Sequence, residues 1–192
     1  MQSIAALLGK HLGEEAWIFG KGPSLDKFDM ATAGPLRICI NESALIVPEP
    51  RYFFGHDEPP IQRVAAQWPS ACRAILQPVR ARYDATRGIP TESIFTYEKR
   101  EREVDVLDWS PEKIAREACL LGLTGTVHSA LHFCRLIGVT VITFVGMDGG
   151  GGYALSIGHS APPGGGQHDV IRRDSITIAK RLNLEYRFIN PD

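Results

Sequence analysis

Short apolar runs, each stopping at glycine, asparagine or aspartate, constrain this chain more than any other feature. Ala16-Trp17-Ile18-Phe19 stops at Gly20, and Leu36 to Ile40 ends at Asn41. Arg51-Tyr52-Phe53-Phe54 runs into Gly55-His56-Asp57, and Val139 to Val145 ends at Gly146-Met147-Asp148. Runs this short and this apolar read as strands buried on both faces. Further strands are expected near Arg73 to Gln77, Ser93 to Tyr97 and Leu184 to Ile189. Helical segments fall between them, at Pro60 to Trp68, Thr126 to Ile137 and Val170 to Leu182. Ser110 caps another helix, with Pro111 at its first position. Ile4, Leu7, Leu8 and Leu12 give Met1 to Leu12 a helical spacing as well. This alternation predicts an α/β protein, a mostly parallel sheet with helices on both faces. Such sheets bind ligands beyond the carboxyl ends of their strands.

The 192 residues predict one domain spanning 1–192. A formal net charge of -1 gives no sign of a nucleic-acid partner. The local basic group of Lys99, Arg100, Arg102, Arg172 and Arg173 reads as solvated surface. Cys39, Cys72, Cys119 and Cys134 lack CxxC spacing and sit in apolar stretches, so neither zinc nor a disulfide framework is indicated. A reducing, cytoplasmic location fits that usage. Met1 to Glu15 does not read as a signal peptide, and no apolar run is long enough for a membrane span. A homo-oligomer is left open.

The polar and glycine-rich residues gather at the expected strand ends. Gly20, Lys21, Gly22, Pro23 and Ser24 follow a strand directly. Glycines there let backbone approach a phosphate or ribose, and Lys21 adds a positive charge. The spacing is neither the dinucleotide fingerprint nor a Walker loop, and a tight turn without ligand explains the glycines equally well. On the ligand reading, a side chain at Gly22 removes nucleotide binding and leaves the fold intact. Thr124, Gly125 and Thr126 open a helix whose N–H groups favour an anion, with capping as the plainer role. Asn41 at a strand end could read a ribose or a base edge, or simply turn the chain. Asp57 and Asp148 end two strands, an arrangement that suits Mg²⁺ with phosphates, or two solvated turn acids. Glycine-rich stretches at Gly149–Gly152 and Gly164–Gly166 bound a segment, 149–168, that reads as a lid or as a surface loop. His159 and His168 fall within it, where a general base could close over substrate. His11, His128 and His132 lie on expected helices and read as structural or exposed.

Taken in order, these motifs resemble those of the bacterial sialyltransferases of glycosyltransferase family 42. The resemblance rests on Gly20-Lys21-Gly22-Pro23-Ser24-Leu25, Ile40-Asn41-Glu42, Thr124-Gly125-Thr126-Val127 and Val145-Gly146-Met147-Asp148. It continues through Gly152-Tyr153-Ala154 and Ile157-Gly158-His159-Ser160 to the closing helix and strand. It implies a Rossmann-like fold and a metal-free transfer from a CMP-linked sugar donor to a small-molecule or glycan acceptor. It further implies that Gly20 to Ser24, Asn41 and Thr124 to Thr126 hold the nucleotide. Tyr153 would donate to the leaving phosphate, and His159 would be the general base. The chain departs from that pattern at Lys21, where the family has asparagine. It also reads Gly149-Gly150 where the family has a second phosphate-binding tyrosine.

A second resemblance, to the archaeal-type 6-hydroxymethylpterin diphosphokinases, rests on the GxGPSL loop, His56-Asp57-Glu58-Pro59 and the Val-Gly-x-Asp strand end. It implies ATP, Mg²⁺, and Asp57 and Asp148 as metal ligands. A third possibility is a nucleotide-binding module without catalysis.

Overall fold

The computed structural model describes residues 1–81, 83–100, 104–123, 125–149, 152–158 and 166–189. Ten strands occur among them: β1 (Gln2–Ser3), β2 (Glu15–Phe19), β3 (Arg37–Ile40), β4 (Tyr52–Phe54), β5 (Arg73–Leu76), β6 (Ile94–Thr96), β7 (Glu98–Arg100), β8 (Cys119–Leu121), β9 (Val141–Val145) and β10 (Glu185–Phe188). Eight form one sheet in the order β1-β6-β5-β4-β3-β2-β9-β10, and every pairing in it is parallel. The remaining two, β7 and β8, make a small parallel pair.

The helices are α1 (Ser24–Lys27), α2 (Glu58–Ala65), α3 (Tyr83–Thr86), α4 (Pro111–Glu117), α5 (Thr126–Ile137) and α6 (Gly166–Arg181). Strand side chains alternate between two cores, as the two-residue period requires. Ile18, Ile38, Phe54, Ile75 and Phe144 face α4, α5 and α6. Phe19, Cys39, Phe53, Ala74 and Val145 face the other way, with Leu25 of α1, Ile61 of α2 and Ala85 of α3. Because both faces are covered, the strands need apolar residues at every position, and they read as continuous apolar runs. The fold is the expected Rossmann-like α/β architecture.

The strand order places the site. From β2 the chain steps through β3, β4, β5 and β6 in one direction, then returns to lay β9 against the other side of β2. Beyond these two strands the chain turns to opposite faces of the sheet, to α1 after β2 and to α6 after β9, which places a crevice at their carboxyl ends, where open α/β sheets bind ligands.

Helix α5 begins and ends as its sequence predicts. All of its residues except Arg135 are buried, and Gly138 closes it at φ 87°. Ser110 caps α4 as expected, accepting from the Lys113 N–H at 3.3 Å. The amino-terminal helix expected over Met1 to Leu12 is absent. β1 and a short 3-10 turn at Ile4–Leu7 replace it. Tertiary hydrogen bonds override the local periodicity, because Gly9 and His11 donate their N–H groups to Leu136 and Ile137 at the end of α5. Leu12 is consequently left 79% exposed, off the apolar face it was assigned to. No described helix is long and apolar enough to cross a membrane. The four cysteines are buried free thiols.

Candidate functional site

The loops after β2 and β9 are fastened to each other. Gly20 N–H donates to Val145 O at 2.8 Å, and Gly22 N–H donates to Gly146 O at 2.7 Å. Ser24 N–H donates to Asp148 Oδ2 at 2.7 Å, and Gly146 N–H donates to Ser24 Oγ at 2.9 Å. A Cβ on Gly20 would sit 2.4 Å from Gly146 O, and one on Gly22 would sit 2.4 Å from Asp148 Oδ2. These glycines are thus required by backbone packing inside the protein. This corrects the expectation that a side chain at Gly22 leaves the fold untouched. Pro23 and Ser24 do not line the adjoining cavity, and Ser24 is buried in the fastening.

That cavity holds about 270 Å³ and opens at the crevice. Gly20, Lys21 and Gly22 line it from the first loop, and Asn41 and Asp57 line it from the ends of β3 and β4. Gly125 and Thr126 line it from the start of α5, and Asp148 and Tyr153 from beyond β9. The sequence-predicted residues are therefore brought together, apart from Pro23 and Ser24 and two others. Thr124 and His159 lie outside the described residues.

Lys21 is held on two sides. Its Nζ lies 3.0 Å from Glu42 Oε2 and 4.0 Å from the centroid of the Tyr153 ring. Glu42 is buried at 2% exposure and also accepts from Arg63, at 2.8 Å from Nε. Burial pushes the Glu42 carboxyl up, but Arg63 and Lys21 outweigh it and hold the pKa at about 2. The carboxylate therefore stays charged and fixes the Lys21 ammonium at the cavity wall.

Asn41 adopts φ 55°, a left-handed conformation that asparagine tolerates. Its Oδ1 is buried with no hydrogen-bond partner, and so is Asp148 Oδ1. Both residues line the cavity. At α5, His128 Nδ1 accepts from Gly125 N–H at 3.3 Å, standing in for a side-chain cap, and Gly125 packs on Ile171 of α6. His128 is buried, and desolvation lowers its pKa, so it is a neutral structural group.

His56 turns away from the cavity. Its Nε2 meets the hydroxyls of Tyr97 at 2.8 Å and Ser129 at 3.1 Å. Asp57 is exposed at the start of α2, with no capping bond from its side chain.

The segment expected as a lid over 149–168 is anchored to the first loop and to α1 at residues 154–156. Ala154 N–H donates to Lys21 O at 2.7 Å, and Asp26 accepts from the N–H groups of Leu155 and Ser156. Helix α6 starts four residues earlier than expected, so His168 lies on its first turn, 5.9 Å from the Tyr153 ring, and lines the cavity. Gly149 has φ 76°, and a Cβ there would meet Asp169 Oδ1 at 2.4 Å. Asp169 occupies the space that a tyrosine at position 149 would need. Arg172 donates to Asp148 O at 2.8 Å and stacks on Phe188.

Sequence reasoning missed Glu42, Arg63, Gln167 and Arg172. Glu42 carries one legible signal, an acid immediately after the strand-ending Asn41. Arg63 carries none, since its role appears only when α2 packs on the turn at Asn41–Leu45 that follows β3. No protein-family model matches the chain, and no curated protein matches it in sequence.

Proposed function

We propose that the crevice beyond β2 and β9 binds a nucleotide and that the protein is a transferase, moving a sugar from a nucleotide-activated, CMP-linked donor. One observation carries this reading: Lys21, the Tyr153 ring and the first turn of α5 converge on one cavity at the switch point of the sheet. In the proposed reaction the acceptor hydroxyl attacks the anomeric carbon, and the bond from that carbon to the phosphate oxygen breaks. The departing phosphate gains negative charge, which Lys21, the Tyr153 hydroxyl and the Thr126 end of α5 would meet. The resemblance assigns removal of the acceptor proton to His159.

A second reading has its own support, because Asp57 and Asp148 line the same cavity. Asp148 Oδ1 is a buried carboxylate oxygen without a donor, and an all-oxygen pair fits a hard cation such as Mg²⁺. No group of three such ligands occurs among the described residues, so substrate phosphates would complete the shell. Bound Mg²⁺ would supply charge neutralisation for pyrophosphate transfer from ATP, as in the diphosphokinases.

Thermal melts with CMP, CDP, ATP and GTP, each with and without Mg²⁺, separate the readings. A ligand at 100 times its Kd stabilises the native state by about 2.7 kcal/mol. Stabilisation by CMP without Mg²⁺ is the expected result. ATP stabilisation that requires Mg²⁺ replaces the first reading with the second, and no response to any nucleotide removes both.

A further inference from the structure

We propose that a cavity at the opposite, amino-terminal edge of the sheet is a second binding site, for a small phosphorylated or polyphosphate anion. This cavity of about 390 Å³ is lined by Lys10, His11, Arg51, Arg73, Glu92 and Phe95, among others. Arg51 immediately precedes β4 and Arg73 opens β5. These strands are neighbours, and Arg73 N–H donates to Arg51 O at 3.1 Å, so pairing itself sets the two guanidinium side chains at one edge. Lys10 and His11 reach the same cavity from the turn that covers the end of α5.

The charge balance there is one-sided. Lys10, Arg51 and Arg73 are basic side chains, and Glu92 is the sole carboxylate in the lining. Among the described residues none of the three cations is in an ion pair. Convergent charges of one sign repel one another, and a concave wall weakens the screening that relieves exposed charges. Arg73 is half-buried and lies 6.0 Å from the Phe95 ring centroid, which restrains its side chain. Behind the wall, the buried Tyr52 hydroxyl sits 3.0 Å from His11 Nε2. Burial pushes the Tyr52 pKa up, and the nearby Arg73 and Arg51 charges pull it back.

These features select the ligand class. Two planar guanidinium groups match the oxygens of a phosphoryl group, and three cations match a group carrying two or more negative charges. The cavity is roomier than one phosphate requires, so it suits a polyphosphate chain or a phosphorylated metabolite. It lies at the other end of the strands from Lys21, and ligand there would leave the first cavity free.

Calorimetric titration at fixed ionic strength tests the site, using inorganic phosphate, tripolyphosphate, a hexose phosphate and citrate as probes. Saturable 1:1 binding of tripolyphosphate or the hexose phosphate is expected, whichever is tighter naming the source, with citrate weaker. Arg51→Gln and Arg73→Gln should each weaken binding by about tenfold or more, the loss expected for a charged hydrogen bond. Lys21→Ala should leave it unchanged, which separates this site from the proposed nucleotide cavity. Circular dichroism and the ligand-free melt check folding. If Arg73→Gln does not fold, the exposed Lys10→Gln and Arg51→Gln carry the comparison. Absence of saturable heat, equal binding by the glutamine variants, or loss in Lys21→Ala alone would overturn the proposal.

Discussion

The ammonium of Lys21 lies 4.0 Å from the centre of the Tyr153 ring, joining the loop after β2 to the segment beyond β9. The contact is a cation–π pair, and Glu42 secures the same ammonium at 3.0 Å. Tyr153 is thus oriented by its ring face. Under the transferase reading, Tyr153→Phe keeps the ring contact and loses only the donor. Turnover should fall on the order of 10²–10³-fold, as for removal of one oxyanion donor. Steady-state kinetics showing an unaffected kcat would remove the hydroxyl from the chemistry.

Glu42 predicts a pH-dependent stability. Its folded pKa, about 2, lies below the ordinary 4.5. The carboxylate therefore contributes fully above pH 4.5, and the contribution is lost as pH falls from there toward about 2. The shift corresponds to on the order of 3 kcal/mol. Glu42→Gln should be less stable than the parent at pH 6, with the gap closing toward pH 2–3. Urea unfolding at both pH values measures it; a gap independent of pH would show that the carboxylate charge is not what matters.

The glycines of the first loop predict a stability defect before a binding defect. A methyl group on Gly20 would meet a backbone carbonyl, which cannot move aside as a flexible side chain would. Gly20→Ala should cost about 1–3 kcal/mol, the usual range for overpacking. For a chain of this size each kcal/mol lowers Tm by roughly 2–4 °C. Calorimetry with no ligand present reads the change directly, and an unshifted transition would mean the two loops part easily.

Two histidines can be set against each other. Under the transferase reading, His159→Ala should lower turnover on the order of 10²–10⁴-fold with nucleotide affinity nearly unchanged, as expected of a general base acting on the acceptor. His168 lines the cavity against Tyr153, so His168→Ala should mainly weaken nucleotide binding by a few fold. A damaging effect on kcat from His168→Ala alone would move the base to α6.

The strands were legible because burial on both faces leaves an unbroken apolar run, as in Trp17 to Phe19 and Ile142 to Val145. Helix α5 was legible at both ends because the first turn starts at Gly125-Thr126 and Gly138 stops it. Met1 to Leu12 was misread because Gly9 and His11 spend their N–H groups on the end of α5, a partner invisible in the local pattern. The short β7–β8 pair was missed for a similar reason, since Glu98–Arg100 acquires strand geometry only beside Cys119–Leu121. At the site, the residue positions were readable but not all their roles. Glycine, serine and aspartate are the residues a phosphate loop needs, and also the residues two loops need to lock together. Gly22, Ser24 and Asp148 do the second in this chain. The Glu42–Arg63 pair depends on α2 packing on the turn at Asn41–Leu45, which no spacing along the chain reveals.

The position of β2 between β3 and β9 also sets the order in which the protein becomes complete as it is synthesised. β3 follows β2 closely in the chain, but the other flank of β2 waits for residues 141–145. Until then an apolar strand edge stays open, and the Gly20–Ser24 loop lacks Gly146 and Asp148 to hold it. Non-local pairings of this kind slow folding and leave intermediates prone to association. A nascent chain halted before β9 would therefore carry most of the sheet without the crevice between β2 and β9.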